Sequence, residues 1–414
     1  MFVRQTIKEV IVENYLAFIM GVSLAGVLLD GLCSRYPNMQ RQLYKIFFAV
    51  VYFLFIIRYY YGPDIWTYVP HYEEIASPMT LWNHPDQMTF EWGYEMFCSV
   101  LHSFGVSYWG MTAIITTLFF IALAFVFHTL PQYRTLALAG VILMDYNLIF
   151  AENRQCMAVS FFLFMVICLQ NKKYWLALPF SVLTVLCHKS GFMPVGLTLM
   201  GVLLYHQRQS ALVYHILIGV LMVMMLIPVS RVAAPVLSLL PLPKSYIESI
   251  SHHMQLGRQF QIIALIYLAV LILISMYNSK QRQSYTWIGI EVLMGMVIIV
   301  ALYQYFFLLN RIRSYYTPLI LFYLIRIATD EHREKSFPYA ALLRQSVAVL
   351  FFLYCTHAMI GYIRGVRQLH APIAKASTLF DLRNQSPKQI RDKQMKIALQ
   401  YWKEDYMKGN QNKL

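Results

Sequence analysis

The sequence predicts an all-α, polytopic integral membrane protein with about twelve transmembrane helices. Three observations carry that expectation. Of 414 residues, 58% are hydrophobic and only 13% charged, with a mean hydropathy of +0.51, whereas a soluble protein carries about 25% charged residues. Apolar runs of about 15 to 25 residues recur along the whole chain, the length that crosses roughly 30 Å of hydrocarbon as helix. Almost nothing remains between them for a soluble domain.

In order, the spans fall near residues 12–30, 42–58, 108–130, 135–151, 155–170, 174–188, 191–205, 211–228, 260–277, 286–308, 314–328 and 339–361. The first is interrupted by Glu13 and Asn14 and lacks a small-residue cleavage site, so it reads as a retained helix and not as a signal peptide. This organisation gives one multi-spanning domain over 1–361, with outer loops at 60–107 and 230–259, and a basic tail over 362–414.

Orientation follows from Lys and Arg, which short cytoplasmic loops concentrate. Neither occurs between Arg58 and Arg134, whereas Asp64, Glu73, Glu74, Asp86 and Glu91 all lie in that interval, so it is expected outside. The hairpin with Arg35, Arg41 and Lys45, the turn at 170–173, His206 to Arg208, Lys280 with Arg282, and the stretch 330–335 then fall inside. The tail does not fit this pattern. Twelve spans that start outside also end outside, yet the residues after 361 hold eleven Lys or Arg against four acids, and the side of the tail stays open.

Those tail residues carry half of the net charge of +14. A Ser-Pro pair at 386–387 is followed by lysines mixed with Met395, Leu399 and Trp402, which suits either an interfacial helix on anionic lipid or an ordinary solvated tail. No nucleic-acid motif, internal repeat or low-complexity segment is visible. The six cysteines have no metal or disulfide spacing, and most sit within apolar runs, where structural burial is the ordinary reading. No metal site is expected.

Function has to be read from polar residues that hydrocarbon excludes, since a charge at the bilayer centre costs at least about 2.5 to 3.5 kcal/mol on insertion scales. Four groups gather at outer helix ends: Arg58 with Asp64, Glu152 to Gln155, Cys187 to Phe192, and Asn310 to Tyr316. Several neighbouring spans have only about 15 or 16 residues, short for a full crossing, so their ends fit a polar cavity below the membrane surface. Each group also has a plain reading. Arg58, Arg311 and Arg313 suit snorkelling to headgroups, Asp64 a turn, and His188 with Lys189 a helix cap. Arg154, between Glu152 and Gln155, suits a local ion pair. Four such groups on one side argue for a shared site.

The stretch "RYYYGPDIWTY", then Glu91 in "FEWGYE", then "NRQCMA" at 153–158, then "CHKSGF" at 187–192 resemble the ordered motifs of the EpsG family, the Wzy-type polymerases of bacterial exopolysaccharide and O-antigen. The resemblance covers roughly residues 50–200. The chain departs from the pattern in Pro63 before Asp64 and in Lys189 between His188 and Ser190.

The resemblance implies a GT-C-like glycosyltransferase architecture in the bacterial cytoplasmic (inner) membrane, with an active site facing the periplasm or cell exterior. Its substrate would be a polyprenyl-pyrophosphate-linked oligosaccharide, the growing chain passing to the nonreducing end of another lipid-linked unit. No nucleotide or protein cofactor is needed. Partners would be membrane lipids, a chain-length regulator and other glycan-assembly membrane proteins, not nucleic acid. Arginine suits the leaving pyrophosphate because its planar fork binds phosphate oxygens in pairs. The candidates are Arg154, Arg58, Arg311 and Arg313. The acceptor hydroxyl needs a base, for which His188 ranks first and Asp64 second. Glu91, Glu152, Gln155 and Tyr68 would bind substrate. Tyr61, Trp66, Tyr68, Tyr72, Trp82, Trp92 and Tyr94 offer faces for sugar stacking or, more plainly, a headgroup-level aromatic belt. In this reading Arg58 faces phosphate and Asp64 faces sugar, with the Gly62-Pro63 turn folding the outer loop over the cavity. Another lipid-donor glycosyltransferase or O-antigen ligase, a polyprenyl-linked sugar transporter, and a structural scaffold are the competing readings.

Overall fold

The computed structural model describes residues 15–60, 64–206, 306–329 and 377–396, with positions 292, 295, 296, 299 and 399. The expected spans at 211–228, 260–277 and 339–361, most of that at 286–308, the loop at 230–259 and the turn at 61–63 lie outside the described residues.

Where the apolar runs are described they are helices. They are α1 (Tyr15–Leu32), α2 (Pro37–Ile56), α6 (Tyr108–Phe127), α7 (Arg134–Phe150), α8 (Asn153–Gln170), α9 (Tyr174–Cys187), α10 (Phe192–His206) and α11 (Phe306–Thr329). Among the described residues, α1, α2, α6 and α8 are long and apolar enough to cross a membrane, and α9 is a shorter apolar helix. The helix expected at 314–328 is described over Phe306–Thr329, from about two turns earlier. The segment 60–107, read from sequence only as a loop, is itself largely helical: α3 (Ile65–Glu73), α4 (Pro78–Asn83) and α5 (Trp92–Ser103). Ser77 starts α4 by accepting the Thr80 N–H at 3.2 Å.

The chain divides into two units, one of residues 1–164, 178–189 and 355–414, the other of 165–177 and 190–354. In the first, α7 packs on α1 and α2, and α6 on α2 and α7. Lipid is as apolar as a leucine core, so close packing and hydrogen bonds must hold such helices together. Gly26 of α1 supplies the closeness, since a Cβ there would lie 2.6 Å from the Phe47 ring of α2. Phe55 meets Phe150 at 5.0 Å between ring centroids, and the Tyr52 and Thr117 hydroxyls bond at 2.9 Å. Asp30, fully buried in α1, accepts the Leu136 N–H at 2.9 Å, which satisfies an orphan donor in the first turn of α7. Leu28, Ile46, Val50, Phe53 and Phe125 stay exposed, as on faces turned to lipid.

The tail is not simply solvated. Ser377–Thr378 forms a short strand, β2, antiparallel to β1 (Arg58–Tyr59), which follows α2. A helical stretch over 387–396 follows. In the second unit α10 packs on α11, and the hydroxyls of Ser190 and Tyr315 lie 3.2 Å apart.

Candidate active site

The site is built on the segment between α4 and α5. Glu95, in the first turn of α5, is wholly buried, and its Oε1 accepts the N–H groups of Thr89 and Phe90 at 3.1 and 2.8 Å. Its Oε2 lies 2.9 Å from Nε2 of His71 on α3. A buried carboxylate must be matched by donors, and these three pin residues 88–90 against α3. Phe90 and Glu91 are thereby fixed in place.

Arg154 in the first turn of α8 meets both. Its Nη1 donates to Glu91 Oε2 at 2.6 Å, its Nε donates to the Tyr68 hydroxyl at 2.8 Å, and its guanidinium lies 4.4 Å above the Phe90 ring. The side chain is 23% exposed. The ion pair expected within the 152–155 cluster is thus made across the fold, with Glu91 and not with Glu152. Burial alone would raise the Glu91 carboxyl, but the charges of Arg154 and His188 outweigh it and hold it below the usual carboxylate range. Burial raises the Tyr68 phenol, only partly offset by Arg154.

His188 follows α9, buried, close enough for its charge to act on Glu91. The neighbouring Lys189 N–H donates to Glu91 Oε1 at 3.4 Å. Gly93 makes this meeting possible. A Cβ at Gly93 would lie 2.8 Å from the Leu186 Cβ and 2.9 Å from its carbonyl carbon, so only glycine lets α5 approach α9 this closely.

Arg58 is almost fully buried, and its Nη2 reaches Asn153 Oδ1 at 3.4 Å. Asn153 in turn donates from Nδ2 to the Tyr108 hydroxyl at 2.9 Å. Arg58 is therefore tied to the residue that precedes Arg154 in the first turn of α8. An exposed headgroup snorkel does not describe Arg58.

The structure thus brings together Arg58, Tyr68, Glu91, Arg154 and His188. Asp64 is exposed at the start of α3, near enough to act on Tyr68 electrostatically. Glu152 is half-buried and Gln155 buried in the first turn of α8. Arg311 and Arg313 belong to the second unit, on α11. The sugar-stacking expectation fails for Tyr72 and Tyr94, which are 2% and 1% exposed and serve as core of the segment, Tyr72 donating to the Val106 carbonyl at 2.8 Å. Trp82 and Trp92 stay accessible. Tyr61 lies outside the described residues. Sequence reasoning missed Glu95, His71, Phe90 and the structural part of Asn153. An acid in an interval without Lys or Arg was the available signal for Glu95.

Compared with known proteins, the chain matches the family model described as the EpsG family over residues 43–364. Neither a curated protein nor a solved structure matches it.

Proposed function

This chain belongs to the EpsG family, a family of exopolysaccharide and Wzy-like polymerases, over residues 43–364, and from that premise we propose that it polymerises polyprenyl-pyrophosphate-linked oligosaccharide units at the outer face of the cytoplasmic membrane. The observation that carries the proposal is the setting of Arg154, a half-buried cation held through Nε by Tyr68 and through Nη1 by Glu91, with a buried histidine nearby.

The reaction needs three things from the protein. The acceptor hydroxyl attacks the anomeric carbon of the lipid-linked chain, the bond from that carbon to the pyrophosphate oxygen breaks, and the hydroxyl proton must go to a base. Negative charge grows on the departing pyrophosphate. Arg154 commits Nε and Nη1 to the fold and offers the two N–H groups of Nη2 to those oxygens, so no reorganisation is required as charge develops. Its place in the first turn of α8 adds the helix dipole in the favourable sense. Arg58, held through Asn153 in that turn, contributes a second positive charge to the same anion. His188 takes the hydroxyl proton, and Glu91 beside it stabilises the imidazolium that forms.

His188→Ala should block chain extension while single lipid-linked units continue to be made and moved across the membrane. Extracted lipid-linked glycans, sized by mass spectrometry, should collapse from a ladder to one repeat. Long chains in the His188→Ala cells would remove His188 from the role of base, and long chains in a deletion strain would end the polymerase reading.

A further inference from the structure

The returning tail meets the chain at Arg58. In the β1–β2 pair Arg58 stands opposite Thr378 and Tyr59 opposite Ser377, and the Leu379 N–H donates to the Ile57 carbonyl at 2.8 Å. Paired strands lie about 4.8 Å apart, so 377–379 must occupy the same end of α2 as Arg58. The contact is built and not incidental. Asp381 Oδ2 accepts the Thr378 N–H at 2.6 Å and closes the turn Leu379–Arg383. Ser386 and Gln389 exchange bonds at 2.8 and 3.3 Å, which caps the stretch 387–396 in the manner of a capping box. That stretch folds back through Gln394, whose Nε2 donates to Ser377 Oγ at 2.9 Å, and through Ile390, which is fully buried.

The outer surface of this segment has two kinds of side chain. Phe380, 64% exposed, sits 6.3 Å from Phe53, which is itself exposed on the flank of α2. Leu379 and Leu382 are exposed beside it, and Arg383, Lys388, Arg391, Lys393 and Lys396 are exposed along the same segment. Apolar residues continuous with a lipid-facing helix, bordered by cations, match an anionic lipid surface at the depth of its headgroups.

We propose that residues 377–396 form an interfacial clamp on the same side of the membrane as the candidate active site, its turn seated in anionic lipid and its strand setting the direction of Arg58. The positive-inside rule does not oppose this. It counts charges within about 20 residues of a span end, and these five cations lie farther than that from residue 361. A helix leaving hydrocarbon must find partners for its last carbonyls, and the clamp supplies one at Ile57. Without it the backbone that carries Arg58 has lost its partner strand. The sidedness follows from the strand pairing alone, whereas the effect on turnover rests on the proposed polymerase reading.

Three measurements on the full chain test it. In a background without native cysteines, Asn83→Cys and Lys393→Cys should react alike with a membrane-impermeant maleimide in intact cells. Opposite labelling of the two overturns the shared side, whatever the activity of the protein. Tyr59→Cys with Ser377→Cys should cross-link on mild oxidation in native membranes, since directly opposed antiparallel residues lie within disulfide reach. Failure to cross-link overturns the pairing. Leu379→Pro removes the N–H given to Ile57 and should lower polymer yield about 10²-fold, as a misplaced catalytic group does, but much less in an Arg58→Lys background. Equal losses in both backgrounds mean that the tail does not act through Arg58 and overturn that part of the proposal.

Discussion

Arg154 Nη1 and Glu91 Oε2 meet at 2.6 Å although 63 positions separate the two residues. The pair holds Nη1 of a guanidinium whose Nη2 the proposed reaction requires. It ties the first turn of α8 to the segment before α5, and a second oxygen of the same carboxylate reaches the chain beside His188.

Keeping the charge of Arg154 without its fork should not be enough. Arg154→Lys has no planar guanidinium to hold Tyr68 through Nε, Glu91 through Nη1 and pyrophosphate through Nη2, so polymer formation should fall by about 10² to 10³, the cost of one lost transition-state donor. Protein level and membrane insertion should be unchanged. Glycan sizing beside an immunoblot of membranes checks both, and wild-type polymer from the lysine variant would exclude Arg154 from the site.

Glu91 should give the fold a pH dependence of definite sign. Its carboxyl is held low in the folded state, so its contribution to stability is present above the ordinary carboxylate range and is lost as pH falls through the lower folded value. In detergent, the gap in Tm between wild type and Glu91→Gln should hold steady near pH 7 and close on acidification below about pH 4. A gap that widens on acidification would contradict the ion pair.

Gly93 should tolerate no side chain. Gly93→Ala places a methyl against the Leu186 backbone, and overpacking of this kind costs about 1 to 3 kcal/mol. A lower Tm should appear together with reduced polymer, because the same displacement draws Glu91 from His188. Unchanged stability would mean that α5 and α9 do not approach as described.

Glu95 acts behind the site. Glu95→Ala leaves the Thr89 and Phe90 amides without their acceptor, a loss of about 0.5 to 1.5 kcal/mol for each hydrogen bond. Glu95→Gln keeps a carbonyl for those amides and should retain more stability. Thermal unfolding of the two variants against wild type checks the order, and a glutamine variant no better than alanine would show that the negative charge matters more than the acceptor.

Much of the helical layout was legible in the chain itself. An apolar run of adequate length has no alternative in hydrocarbon but to satisfy its own backbone as helix, so the described helices α1, α2 and α6 to α10 fall close to the runs that predict them. The helices within 60–107 were not legible, because α3 to α5 are short, carry Pro70 and Pro78, and mix aromatic with polar residues. They are held by contacts such as Tyr72 with Val106, which only folding supplies.

For the site, sequence alone determined which residues are chemically out of place. Arg58, Glu91, Arg154 and His188 stand out because charge and hydrogen-bonding capacity are costly near hydrocarbon wherever they fall in the order of the chain. It could not determine their partners. Glu152 is two positions from Arg154, yet Arg154 bonds Glu91, and the partner strand of Arg58 comes from a tail more than 300 positions away. Residues at adjacent helical positions project in different directions, whereas helix packing brings distant ends together at no cost in sequence order. Tertiary structure decided the pairings for that reason: Coulomb and hydrogen-bond energies depend on distance in space, which the linear order of an α-helical chain does not encode.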